Sequence, residues 1–355
     1  MGHPRIENGT PFALDLLFLL DEEGRSLLVP LVQATYAIVP GRGLVLADEQ
    51  LPPSLTGETW GEDPAVSSYR IEPAFAFTKP ATDVVLVGHA HARRTAESQV
   101  VFKVGPVGKT LRVHGDRFWV RSAGTIAPTR PLPFERIPLA YERAFGGWDR
   151  SHPDPSKHTF DPRNPVGTGF RSAETRFEEG IALPNLEDPN DPVKHWGQVV
   201  APAGVGFLSP HWQPRAALAG TYDEAWQKER MPLLARDFDR RYFNAASPGL
   251  VAPGYLRGDE PVLVEGASPA GRLSFRLPGG KPPRCRAALT HRGDEEIPLH
   301  LDTLIIDTDH DRVLMQYRGA TTLRDGPHDV DAVVLTAVQT APGRAVVPRP
   351  VEEWA

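Results

Sequence analysis

At 355 residues the chain is long enough for one large domain or two moderate ones with an ample core. Its 37 prolines and 32 glycines would suit disorder, yet 40% of the residues are hydrophobic and gather into strand-length runs, so a folded, loop-rich β protein is expected. A net charge of −6, with no Lys/Arg run beyond pairs such as Arg93-Arg94 and Arg240-Arg241, argues against nucleic-acid binding driven by phosphate contacts.

The single cysteine, Cys285, rules out an intrachain disulfide and fits a reducing cytosol. It reads as a small residue at the edge of a strand, since no catalytic signature accompanies it. The opening MGHPRIENGTPF lacks the basic-then-apolar order of a signal peptide. The apolar run Phe12 to Leu20 is broken by Asp15 and too short to span a bilayer. A soluble cytoplasmic protein without membrane insertion is expected.

In chain order, Phe12–Leu20, the acidic turn Asp21-Glu22-Glu23-Gly24 and Ser26–Val39 predict a strand pair, with Pro30 marking an edge or a bulge. A short strand at Leu44–Leu46 follows. Asp83–Ala92, Gln99–Val104 and Lys109–His114 are β-branched and regularly spaced, and Asp116–Val120 adds another short strand; together they read as an antiparallel meander in a sandwich or barrel-like lobe. From Pro128 to Tyr255 Gly and Pro punctuate a long irregular segment. It holds one helical turn before Gly146-Gly147 and one good helix at Thr221–Arg230, capped by Thr221 and stopped by Pro232. Strands return at Pro261–Glu265, Arg272–Leu277, Arg286–Thr290, Leu301–Asp307, Arg312–Tyr317 and Ala332–Val338, and the Pro/Arg-rich tail from Ala341 reads as mobile. The fold class is therefore mainly β, with few short helices. One domain is expected over 1–355, with subregions 1–127 (β), 128–255 (irregular), 256–340 (β) and 341–355 (tail).

Motifs that carry chemistry mostly fail on spacing. Val104–Leu111 ends in Gly-Lys-Thr, but the Gly required five positions before Gly108 is Lys103, and a strand follows where a phosphate cradle needs a helix. Gly167-Thr168-Gly169 and Gly204-Val205-Gly206 have Ser at the third glycine position of a dinucleotide fingerprint. No Gly-x-Ser-x-Gly elbow is present. His89 and His91 would share a strand face, and Asp307, Asp309 and Asp311 imitate half a calcium loop, but Arg312 and Arg318 stand where Gly and Glu should. Solvated strand histidines and an acidic turn are the simpler readings, and no cofactor or metal is assigned. Paired acids, Glu142 with Asp149 or Glu187 with Asp188, keep a hydrolase-like enzyme open as an alternative.

Aromatics concentrate where loops usually lack them. Trp148, Trp196, Trp212 and Trp226 fall in the irregular middle with Phe145, Phe170, Phe207 and Tyr222. Most would build a miniature core, and a minority would anchor a partner, since Trp, Tyr and Arg dominate interface energetics.

Ten ordered blocks carry a resemblance: Thr10–Phe12, Lys79–Asp83, Gly115–Trp119, Pro138–Gly147, Asn164–Phe170, Leu183–Pro189, Pro202–Arg215, Ala219–Trp226, Arg230–Asp239 and Leu301–Gly319. With them nearly the whole chain resembles the bacterial family named domain of unknown function 2169, whose members serve as type VI secretion accessory proteins. The resemblance implies a non-enzymatic adaptor or chaperone that binds a cognate toxic effector and helps load it onto the spike protein. It implies no catalytic residues. Trp148, Phe170, Arg215 and Trp226 are the residues expected to be exposed and to bind the partner. A structural component of the secretion apparatus is the remaining alternative.

Overall fold

Strand Ser26–Val39, fourteen residues long, is the spine of the largest sheet. Its neighbour Ala13–Leu20 reaches it through a turn closed by Asp21, whose Oδ1 accepts from the backbone N–H groups of Glu23 and Arg25. The computed structural model describes residues 4–172 and 175–337, and the predicted tail from Ala341 lies outside them. The sheet runs Ala13–Leu20, Ser26–Val39, Arg312–Arg318, His300–Asp307, Asp83–Val87, with Gly43–Leu46 and Thr321–Thr322 also pairing on the spine. Its last pair, His300–Asp307 with Asp83–Val87, is parallel.

Pro30 corrects one expectation. The spine is paired on both sides, so Pro30 marks no edge. On one side Arg312–Arg318 ends opposite Leu31 and Thr321–Thr322 begins opposite Leu28. Pro30 sits in that gap between two partner strands, where a missing N–H breaks no ladder bond.

A five-stranded antiparallel sheet follows the order Leu186–Glu187, Val107–His114, Glu97–Val104, Pro261–Glu265, Arg272–Arg276. The Gly-Lys-Thr stretch lies in its strand Val107–His114, just past the hairpin turn at Gly105-Pro106. A four-stranded sheet joins Arg5–Gly9 in parallel to Val330–Thr336, then Arg284–Leu289 and Gly293–Ile297. Among the described residues the architecture is mainly β, 42% strand against 8% helical, without a closed barrel. The predicted run Asp83–Ala92 is two strands, broken at Gly88, whose φ of +156° lets the chain leave one sheet for a pairing with Phe134–Pro138.

The central segment is irregular, as its Gly and Pro content requires, and it is tied down by buried polar side chains. Asp83, fully enclosed, accepts from Lys79 Nζ at 2.7 Å, from Asn244 Nδ2 at 3.0 Å and from the backbone N–H groups of Ala245 and Ala246. One carboxylate thus fixes residues 244–246 to the end of a strand 161 positions away. Asn164 donates to the carbonyls of Tyr141 and Phe145, and the Asn185 amide donates to the His114 carbonyl and to the Asp116 carboxylate. The core runs through the whole assembly: Val85 and Phe102, Tyr141 and Phe207, and Ile305 and Val264 belong to one buried cluster.

The helix spans Glu224–Glu229, shorter than predicted, and its cap is Asp223, which accepts from Trp226 N–H at 2.9 Å. Thr221 is unavailable for capping because its N–H and hydroxyl both donate to Asp237. Among the described residues no helix is long and apolar enough to cross a membrane.

Candidate protein-recognition surface

The four residues expected to meet a partner occupy different environments. Trp148 is 42% exposed. Phe170 is half-buried, edge-on to Phe145 at 6.4 Å, in a small satellite core with Trp119, Leu183, Val193 and Trp196. Trp226 is half-buried and donates its indole N–H to the Leu233 carbonyl at 2.8 Å. Arg215 is only 6% exposed. Its guanidinium pairs with Glu72 and donates to the carbonyls of Leu208 and Tyr242. Arg215 is therefore a buried tie within the central segment, and the expectation that it is exposed is corrected. An Arg in a loop-rich block looks like a surface anchor until the fold supplies its carboxylate from 143 residues away.

Around Trp148 a compact feature emerges. The two-residue strand Trp148–Asp149 pairs with Thr159–Phe160, which sets Trp148 opposite Phe160. The rings lie 4.5 Å apart at 31°, and Phe160 is 41% exposed. The Arg150 guanidinium covers the Trp148 ring at 5.2 Å. Beneath them Asp149, 4% exposed, accepts from Ser151 N–H and hydroxyl, Ser172 N–H and the Thr175 hydroxyl. Burial works to raise the Asp149 pKa, but these hydrogen bonds prevail and hold it well below the usual carboxylate range. The carboxylate thus clamps the hairpin, so that two aromatic rings and a cation are presented on a fixed backbone. Phe160 and Arg150 escaped sequence reasoning because only the pairing of these two short strands brings them to Trp148.

The carboxylates considered for acid–base chemistry are each engaged elsewhere. Glu142 accepts from Ser68 N–H and hydroxyl, at 2.7 and 2.6 Å. Glu187 pairs with Arg117 at 2.8 Å and approaches His114 at 3.2 Å; burial opposes, and these partners still lower its pKa. Asp188 caps the Asn190 N–H. The nearest approach to a nucleophile constellation is Ser247, whose Oγ lies 2.9 Å from Tyr141 OH and 3.1 Å from Lys109 Nζ. Ser247 is fully enclosed, and its one proton goes to the Gly204 carbonyl at 2.6 Å. The hydroxyl is a saturated joint between three chain segments with no room for a substrate carbonyl.

His89 and the acidic turn, read separately in the sequence, meet. His89 Nδ1 lies 2.9 Å from Asp309 Oδ1, and Arg136 reaches the same oxygen at 2.9 Å. Asp307 pairs with Arg312 and His310. Arginines take up these carboxylates, and among the described residues no three His, Cys, Asp or Glu side chains gather as metal ligands.

A mainly β scaffold carries a long, bolted-down connection with an aromatic pair on its surface. The chain belongs to a family described as uncharacterized proteins conserved in bacteria, domain of unknown function 2169, whose model matches residues 23–318. Among curated proteins and solved structures, none matches it.

Proposed function

We propose that the protein is an adaptor, or chaperone, of a bacterial type VI secretion system. On this reading it binds a cognate effector in the cytoplasm and helps load it onto the spike protein. The observation that carries the reading is the exposed Trp148–Phe160 pair with Arg150 beside it, held by a buried carboxylate on an irregular segment. Surface aromatics and arginine of this kind supply much of the energy in protein interfaces, and a rigid backbone lowers the ordering cost of binding. The resemblance of the ten sequence blocks to type VI secretion accessory proteins supplies the direction of the proposal.

The test is affinity for the effector encoded beside this protein, with melting temperature measured on the same variants. Trp148→Ala and Phe160→Ala should each weaken capture roughly thirtyfold, an anchor loss of about 2 kcal/mol, with little change in melting temperature. Phe170→Ala, Trp226→Ala and Arg215→Ala should lose stability first, because those side chains are packed or paired internally. Full-strength capture by a folded Trp148→Ala/Phe160→Ala double variant would overturn the assignment.

A further inference from the structure

We infer that the open edge of strand Val107–His114 takes an added strand, an extended segment of a protein partner with an acidic residue facing Lys109. Val107–His114 pairs along its whole length with Glu97–Val104, but on its other side Leu186–Glu187 covers only Arg112 and Val113. Next to that short strand His114 donates its N–H to the Asn185 carbonyl at 2.8 Å. Backbone direction alternates along an antiparallel strand, so Arg112, Thr110 and Gly108 face the same way as His114, while Val107, Lys109, Leu111 and Val113 bond to Glu97–Val104. After Glu187 the chain turns off the edge at Pro189, and Asp191 N–H closes the turn on the Asp188 carbonyl. Among the described residues the backbone N–H and carbonyl groups of Gly108 and Thr110 have no partner.

A groove of about 450 Å³ lies along this stretch, lined by Gly108, Lys109, Thr110, Asp188 and Asn190, among others. Gly108 is exposed and Thr110 half-buried, so another backbone can approach both. An unpaired strand edge is a template for a further strand, and main-chain hydrogen bonds supply the affinity of such an addition. Leu186–Glu187 already uses the far end of the same edge in this way.

Charge sets the kind of segment. Lys109 is half-buried, and its ammonium donates to the Ser247 hydroxyl oxygen at 3.1 Å and the Pro248 carbonyl at 3.3 Å. Among the described residues no carboxylate pairs with it; Asp188, the one acid in the groove lining, is occupied with the Asn190 N–H. Arg112, exposed where the open stretch ends, has no side-chain partner among the described residues either. A guest residue opposite Lys109 projects to the same face, where a carboxylate forms a favourable cross-strand pair. A second copy docked antiparallel about the middle of this edge would instead set Lys109 against Lys109, with like charges directly opposed. The edge is distinct from the Trp148–Phe160 pair, and the inference does not depend on the adaptor reading.

The probe is a fluorescein-labelled peptide, Thr-Val-Thr-Glu-Thr-Val-Thr, titrated against the full chain by anisotropy. Its Val, Glu and Val side chains share one face, matching Val107, Lys109 and Leu111. Saturable binding is expected, about threefold weaker with Gln in place of Glu and at least tenfold weaker with Lys. N-methylation of one alternate set of peptide amides should abolish binding and that of the other set should be tolerated, because only one set faces the edge. Thr110→Pro removes an outward N–H and no bond to Glu97–Val104, so binding should fall at least tenfold with little change in melting temperature. Should Thr110→Pro fail to fold, the two N-methylated peptides decide. No saturable binding, equal affinity for the Glu and Lys peptides, or equal tolerance of both methylated sets would overturn the proposal. A concentration-dependent dimer in sedimentation velocity that Thr110→Pro abolishes would overturn it too, by giving the edge to a second copy.

Discussion

Cys285 pairs with Ile297 on one side and Leu335 on the other, fully enclosed in the four-stranded sheet, and burial pushes its thiol up to about 12. The thiolate is the reactive form, so iodoacetamide at neutral pH should leave Cys285 unmodified in the folded protein and label it in denaturant, as intact-mass measurement would show. Asp309 behaves oppositely. Burial alone would raise its pKa, but His89 and Arg136 overcome that and lower it from 3.8 to about 2. A depressed carboxylate stabilises the fold while ionised, so its contribution is complete above about pH 4 and disappears as pH falls towards 2. Asp309→Asn should flatten the acid limb of a melting-temperature profile in that window while lowering stability at neutral pH. An unchanged acid limb would show that the His89–Arg136 contacts contribute nothing there.

At the scale of elements, the ties between blocks matter more than the blocks. Asp83 holds Lys79 on one side and the backbone at 245–246 on the other, so Asp83→Ala leaves the buried Lys79 ammonium without its carboxylate, on the Thr303 hydroxyl alone, and two buried N–H groups without acceptors. Loss of one partner from a buried ion pair costs about 3–5 kcal/mol, and chemical denaturation of the variant should show a loss of that order. Gly88 carries the kink between Asp83–Val87 and His89–Thr95; a Cβ there would collide with the Thr308 hydroxyl at a φ that side chains disfavour. Gly88→Ala should therefore cost about 1–3 kcal/mol, and an unchanged denaturation midpoint would show that the turn relaxes freely. The strand runs at both ends were legible because β-branched and apolar residues repeat at strand length between turn residues. The kink at Gly88 and the spine's unbroken path through Pro30 were not, since both depend on which strand lies alongside.

Across the whole molecule, the buried cluster that includes Val85, Phe207 and Ile305 draws on the first third, the middle and the last third of the chain alike. The middle owns little core apart from the satellite around Trp119, Phe145 and Leu183, and Trp119 itself comes from the preceding stretch. A fragment spanning 128–255 should accordingly show no cooperative melting by circular dichroism and rapid proteolysis, whereas the full chain resists. A cooperative transition in that fragment would mean that the irregular segment stabilises itself.

The sequence by itself made the class of this protein legible: short β-branched runs of Val, Leu and Ile bounded by turn residues favour sheets, and dense Gly and Pro disfavour regular structure in the middle. It also excluded a phosphate loop at Val104–Leu111 and a serine elbow, because those chemistries require fixed spacings that local sequence either has or lacks. Which aromatics and arginines face outward was decided only by tertiary structure. Trp148 and Arg215 look equally suited to a partner in the sequence, yet Arg215 finds Glu72 across the fold while Trp148 meets Phe160 at the surface. Exposure is a property of what else arrives at a position, and the arriving residues come from strands and loops far away in the chain.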